Sequence, residues 1–319
     1  MAQQKRSFGK WIFIIIVILL LAFISMIVAG ILGLFFVVGS DIDSYESPDG
    51  DGNVALIKIN GAILTDTSSS LFRNSEGTSS SDIVKRLNKI KNDNSIKAVI
   101  FEVNSPGGSG VAADEISRAI KNLNKTTVAY VRDIGTSAAY WISSSTDYII
   151  ANRLSFVGSI GAIASYIEIS GLLEEYNITY QRFVAGDYKD FGSPFREPSL
   201  EEKTLFQEQL NQVHDVFIQE VANNRNMTFE EVKKIAHGMF FTGLQAKELG
   251  LIDDFGGKQE AINYVEQAEN ITADVVEYKK KTTFWSLLAG TQSNKGYSIG
   301  RGIGDSIIKS STQRSIMIN

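Results

Sequence analysis

Ser137 and Lys189 lie 52 positions apart in a chain of 319 residues that has no cysteine and only two histidines. Without cysteine, thiolate catalysis, disulfides and cysteine-ligated zinc are excluded. A serine hydroxyl attacks a carbonyl only when a neighbouring base takes its proton, and a neutral lysine amine can be that base. For any lysine, bringing the pKa from about 10.4 toward 7–8 takes roughly 3–4 kcal/mol of differential desolvation in a nearly closed, apolar site. The histidines offer less. His214 falls beside Val213 and Phe217 inside a helical pattern, and His237 precedes Gly238 at a helix C-terminus, where it complements the helix dipole. Two histidines 23 positions apart lack the spacing of helix-borne metal ligands, so no metal site is expected.

Each candidate also has a plainer reading. Ser137 stands in Gly135-Thr136-Ser137-Ala138-Ala139-Tyr140, where small residues let a helix start close to a sheet. Alone, such a serine is more often an N-cap than a nucleophile. Lys189, in Ala185-Gly186-Asp187-Tyr188-Lys189-Asp190-Phe191-Gly192, reads by default as a surface lysine in a loop. Upstream, Asn104-Ser105-Pro106-Gly107-Gly108 reads as a glycine turn. Gly108-x-Gly110-x-x-Ala113 follows a predicted strand, and Asp133 ends the next one. That pattern is open to three readings: a dinucleotide-binding fingerprint, a tight strand-to-helix turn, or amides aimed at a developing oxyanion.

These residues need a frame to hold them. Val54–Ile59, Ala98–Val103, Thr127–Val131 and Tyr148–Ala151 are short apolar runs rich in β-branched residues and bounded by turns, which predicts buried strands. Ile83, Leu87 and Ile90, then Ala112, Ile116 and Ile120, show helical spacing between them, and this alternation predicts parallel βαβ units. Thr65–Ser81 reads as a Ser/Thr-rich loop and Tyr180–Val184 as a strand. Ser199–Asn223 is a long helix opened by the capping-box spacing of Ser199 and Glu202, and Thr228–Ala236 repeats that box. Gly243–Leu249, Lys258–Gln267 and a last strand, Ala273–Tyr278, follow.

Trp11 to Val38 is a 28-residue run without a charge, longer than a signal-peptide core and long enough to span a bilayer. Lys5, Arg6 and Lys10 precede it, and Asp41, Asp43 and Glu46 follow it. The charge bias puts residues 1–10 in the cytoplasm, a single-pass anchor at 11–38, a linker at 39–53 and the main domain, 54–280, outside the cell membrane. Residues 281–319 form a Gly/Ser-rich tail. The net charge of −5 gives no reason to expect nucleic acid. Asn-x-Thr sequons begin at Asn124, Asn177, Asn226 and Asn270.

From about Val54 to Val276 the chain resembles the signal peptide peptidase A family of serine proteases, which are related in fold to Clp protease. The resemblance rests on Asn104–Gly108, Thr136–Tyr140, Gly158-Ser159-Ile160-Gly161, Gly186–Pro194 and Gly243-x-x-Ala246-x-x-Leu249-Gly250-Leu251-Ile252-Asp253. It implies a Clp/crotonase-like α/β fold with a helical extension, and a Ser–Lys dyad of nucleophile Ser137 and general base Lys189. It further implies oxyanion amides from Gly108 and Ala138, and a lysine-orienting hydroxyl on Ser159. No cofactor is implied. Substrates would be remnant signal peptides or other short apolar segments near the membrane. One repeat, where the family also has tandem forms, implies a homo-oligomer with the dyad shared between neighbouring subunits. The usual Gly-Gly after the nucleophile is Ala138-Ala139 here, which bears on the substrate pocket. The rivals are a related peptidase acting on stomatin-like membrane proteins and a catalytically silent oligomeric scaffold.

Overall fold

A computed structural model describes residues 11, 13–30, 52–66 and 77–278. These fall into two units, taken separately. In the first, helix α1 (Phe13–Gly30) has 18 residues of mean hydropathy 3.2 with none of it buried, apolar and long enough to cross a membrane. Residues 1–10, the last part of the expected anchor, most of the expected linker and residues 281–319 lie outside the described residues.

The second unit is built on a parallel sheet in the order β2-β1-β3-β4-β5-β8, comprising β1 (Val54–Leu64), β2 (Thr78–Ser79), β3 (Ala98–Gly108), β4 (Thr126–Thr136), β5 (Tyr148–Ala151) and β8 (Asp254–Phe255). Strand β6 (Phe156–Gly158) extends it from β4 and pairs antiparallel with β7 (Phe240–Thr242), while β9 (Val275–Glu277) pairs with β1. The continuous apolar runs follow from burial on both faces. Ala55, Ile57, Val99, Phe101, Ala129 and Val131 point to one side, against α2 (Ser80–Asn92), α3 (Gly110–Lys121) and α4 (Ala138–Ser144). Their alternates Val54, Leu56, Ile100 and Val128 point to the other, against Ala261 and Val265 of α9 (Lys258–Glu269). The expected α/β architecture is therefore present, with every predicted sheet strand before Ala151 in place.

Helix α6 (Leu200–Arg225) opens with the predicted Ser199–Glu202 capping box, and α7 (Phe229–Ile235) with that of Thr228 and Glu231. At 26 residues α6 is about 39 Å long. Only its C-terminal part, through Phe217, Ile218, Val221 and Ala222, packs into the core. Arg225 at that end donates to Asp253 at 2.9 and 2.7 Å and to the Gly250 carbonyl at 3.0 Å, and Asp253 also accepts the Ile149 N–H of β5 at 2.8 Å. With the Arg225 side chain 9% exposed, Arg225→Ala is expected to destabilise the domain by about 3 kcal/mol. Urea unfolding monitored by circular dichroism measures that loss.

Three expectations are corrected. Asn104–Gly108 is no free turn: β3 continues to Gly108, and α3 starts after Ser109, whose hydroxyl caps it at Ala112 N. Tyr180–Val184 is not a strand, because these residues are exposed and pair with no strand among the described residues. The Ser/Thr-rich segment, read as a loop to Ser81, ends earlier, in β2 and the first turn of α2, while 67–76 lie outside the described residues. The four sequon asparagines share a structural cause. Asn124, Asn177, Asn226 and Asn270 all have φ between 51° and 56°, the left-handed conformation that asparagine tolerates where a helix or turn ends.

Candidate active site

Strands β1, β3 and β4 carry their irregularities at the same end. The β1–β3 register shifts between Asn60 and Ala62, and the β3–β4 register between Val103 and Ser105. Ser105 ties the two together, donating to Gly61 O at 2.6 Å and accepting the Gly107 N–H at 3.1 Å. Gly107, at φ 104°, then passes so close to the next element that a Cβ there would lie 2.7 Å from Ser137 Cβ and 3.0 Å from Ala138 N. A Cβ on Gly108 would meet Ile63 O at 2.1 Å. Neither position accepts a side chain.

Ser137 joins β4 to α4 with φ 54° and ψ −127°. Its N–H donates to Gly158 O at 2.7 Å and its carbonyl accepts the Trp141 N–H at 3.0 Å, which over-determine this unfavourable backbone. Such a conformation costs about 1–3 kcal/mol and is concentrated at functional sites. Ser137 does occupy the N-cap position of α4, but its hydroxyl makes no capping hydrogen bond. Ala138 is the first residue of α4, where an N–H has no partner inside the helix.

A cavity of about 200 Å³ opens here, bringing together Gly108, Ser137 and Ala138 of the candidate set. Its other walls come from Trp141, from Gly161-Ala162-Ile163, and from Leu210, Val213 and Phe217 of α6. Phe217 stacks on Trp141 with ring centres 5.0 Å apart. Sequence reading did not find these walls. The 210/213/217 spacing on α6 was visible, but nothing local said what that face would cover. A larger cavity, about 790 Å³, is lined by Asp133 of the fingerprint pattern but by none of Gly108, Ser137, Ala138, Ser159 and Lys189.

Ser159, at φ 53°, directly follows β6 and donates its hydroxyl to Gly238 O at 2.8 Å, while its N–H donates to Met239 O at 3.1 Å. His237 Nδ1 accepts the Met239 N–H at 3.3 Å, a structural role, and His214 Nε2 is buried without a hydrogen-bond partner.

Lys189 does not line the cavity. It lies exposed in a string of turns, its N–H on Gly186 O at 3.1 Å. Beside it, Asp190 is gripped by Arg182 and Arg196, and Arg196 reaches on to Glu202 at the start of α6. The guanidiniums of Arg182 and Arg196 hold the Asp190 carboxyl well below the usual carboxylate range. Glu202 is pushed down to about 2, first by Arg196 and next by the Ser199 N–H. Carboxylates with depressed folded pKa contribute stability above their unfolded pKa, near 4, and lose it as pH falls through the folded value. The clasp should thus hold unchanged from neutrality to about pH 5 and loosen progressively between there and pH 2. Hydrogen exchange of the amides of residues 186–203 at stepped pH checks this, since the sheet amides should hold their protection longer.

The parallel sheet thus leads into a strained, uncapped serine over a small apolar cavity, and the sequence profile of Clp protease matches residues 51–156. That of Peptidase family S49 matches residues 119–272. The "Putative protease MJ0651" of Methanocaldococcus jannaschii is 33% identical over 93% of this chain and 94% of its own length. The "Putative signal peptide peptidase SppA" of Enterococcus faecium is 31% identical over 84% of this chain and 83% of its own. "Protease 4" of Haemophilus influenzae is 30% identical over 73% of this chain, which spans 37% of that longer protein. The chain belongs to Peptidase family S49, and its activity is that of a serine protease.

Proposed function

We propose that this is a membrane-anchored endopeptidase in which Ser137 attacks the scissile carbonyl and the Lys189 of a neighbouring copy takes its proton. The observation that carries the reading is the strained Ser137, with its hydroxyl uncapped at the mouth of the apolar cavity. The amides of Gly108 and Ala138 flank it and would stabilise the tetrahedral oxyanion. The Ser159 hydroxyl hydrogen is committed to Gly238 O, so its oxygen presents lone pairs. A neutral lysine donating there keeps its own lone pair for Ser137. Attack then forms a tetrahedral adduct and protonates the lysine, which passes the proton to the amine nitrogen as the C–N bond breaks and the Ser137 acyl ester is left. Water, deprotonated by the same lysine, hydrolyses the ester.

An adjacent copy as the source of Lys189 is supported by the character of its arm. Residues 162–189 have no buried side chain, yet include Ile163 at 87% and Phe183 at 91% exposure. Apolar surface of this extent favours burial against another copy. Helix α1 supports anchoring, and the basic residues before it support a cytoplasmic N-terminus with the peptidase domain outside. Apolar cavity walls and a nearby bilayer favour remnant signal peptides or similar apolar, extended segments as substrates, bound as an added strand. A fluorophosphonate probe tests the assignment. It should label the full chain, the label should map to Ser137, and Ser137→Ala should lose it. Absence of labelling in a properly assembled protein would favour the silent scaffold.

A further inference from the structure

Asp190 poses a chemical problem for the base assigned above. A carboxylate next to a lysine stabilises the ammonium form, the opposite of what a general base needs. The structure resolves the conflict by occupying that carboxylate completely. Arg182 donates through Nε at 2.6 Å to Oδ2 and through Nη2 at 2.8 Å to Oδ1. Arg196 does the same from the other side, through Nε to Oδ2 and Nη2 to Oδ1, both at 2.8 Å. A carboxylate offers about four lone-pair sites, and all of them are taken.

The same contacts run back to the core. Arg196 forks onto Glu202 at 2.8 and 2.5 Å, and Glu202 accepts the Ser199 N–H at 2.7 Å in the capping box of α6. Helix α6 is itself anchored through Phe217 and Val221. The loop so held is bounded by Gly186 at φ 98° and Gly192 at φ 81°, which let it turn sharply at both ends. Of the other charges nearby, Glu201 accepts the Tyr188 hydroxyl at 2.7 Å and Glu197 pairs with Lys203 at 2.8 Å, while Asp187, exposed on the same loop, is held by Arg182 only through its backbone carbonyl, at 3.3 Å.

We propose that Asp190, clasped by Arg182 and Arg196, is a positioning residue for Lys189, fixing its loop to α6 while being denied to it as a salt-bridge partner. This rests on the reading of Lys189 as general base. Arg182, the more exposed of the two arginines, gives the cleaner test. In Arg182→Gln two lone-pair sites of Asp190 open to the lysine. The pH profile of kcat/KM for a small peptide should then move to higher pH by about one unit, with most turnover regained at alkaline pH. Arg182→Lys, which keeps the charge, should restore much of the wild-type profile. Asp190→Asn frees the loop but removes the competing charge, so turnover should fall by roughly 10²-fold without an alkaline shift. Assembly of each variant is verified by sedimentation. A profile unmoved in Arg182→Gln, whether or not turnover falls, overturns the proposal. If Lys189→Ala keeps activity, the underlying reading of the base fails instead, and the two failures are distinct.

Discussion

Replacing Ser137 by alanine is expected to abolish peptide hydrolysis by at least about 10⁴-fold while leaving the fold intact, and Lys189→Ala should do nearly as much damage. The two losses have different structural causes. Ser137→Ala removes one oxygen that makes no capping bond, so melting should change little. Lys189→Ala changes an exposed side chain that does not line the cavity, and is equally mild for stability. Because the amine must be neutral to accept the serine proton, wild-type activity should climb toward alkaline pH. Steady-state kinetics with a fluorogenic peptide, alongside circular dichroism, measures all of this. Lys189→Ala at more than a few per cent of wild-type turnover would remove lysine as the base and return the histidines to consideration.

The second large effect is expected at Gly107, a residue with no side chain to take part in chemistry. A Cβ there would lie 2.8 Å from Thr136 O and 2.7 Å from Ser137 Cβ, and φ 104° is strained for any L-residue. The backbone on both sides is fixed, by Ser105 on one strand and by the Ser137 N–H bond to Gly158 on the other. Gly107→Ala should therefore displace Ser137 and the Ala138 amide together. A loss of about 10²–10³ in kcat is expected, the scale of removing an oxyanion donor. Strain should add about 1–3 kcal/mol of destabilisation. Fluorophosphonate labelling should slow in parallel with turnover. A variant that labelled at the wild-type rate would show that Gly107 does not shape the site.

Much of the sheet could be read from the sequence because burial on both faces writes an uninterrupted apolar run. Tyr148–Ala151 was predicted with the bounds it has, and the capping boxes at Ser199 and Thr228 named two helix starts within a residue. What failed had non-local causes. Strands β6 and β7 are three residues each and exist through pairing with each other and with β4, a contact no window of sequence contains. Glycine and proline in Asn104–Gly108 signalled a turn, whereas pairing with β1 and the Ser105 hydroxyl keep the segment in the sheet. Tyr180–Val184 has the composition of a strand but no partner strand among the described residues. At the candidate site, Gly108, Ser137 and Ala138 come together, but the apolar walls from α6 arrive from more than 70 positions away. Lys189 does not line that cavity and is carried on an exposed apolar arm.

That separation makes subunit mixing the most direct test of a site built from Ser137 of one copy and Lys189 of the next. Ser137→Ala subunits and Lys189→Ala subunits, each inactive alone, are unfolded, combined in equal amounts and reassembled, with distinct tags to demonstrate mixed oligomers. Random assembly in a ring places an intact serine against an intact lysine at roughly one boundary in four, so about a quarter of wild-type activity should return. Mixed oligomers that stay as inactive as their parents would contradict the shared site and require the dyad to form within one chain.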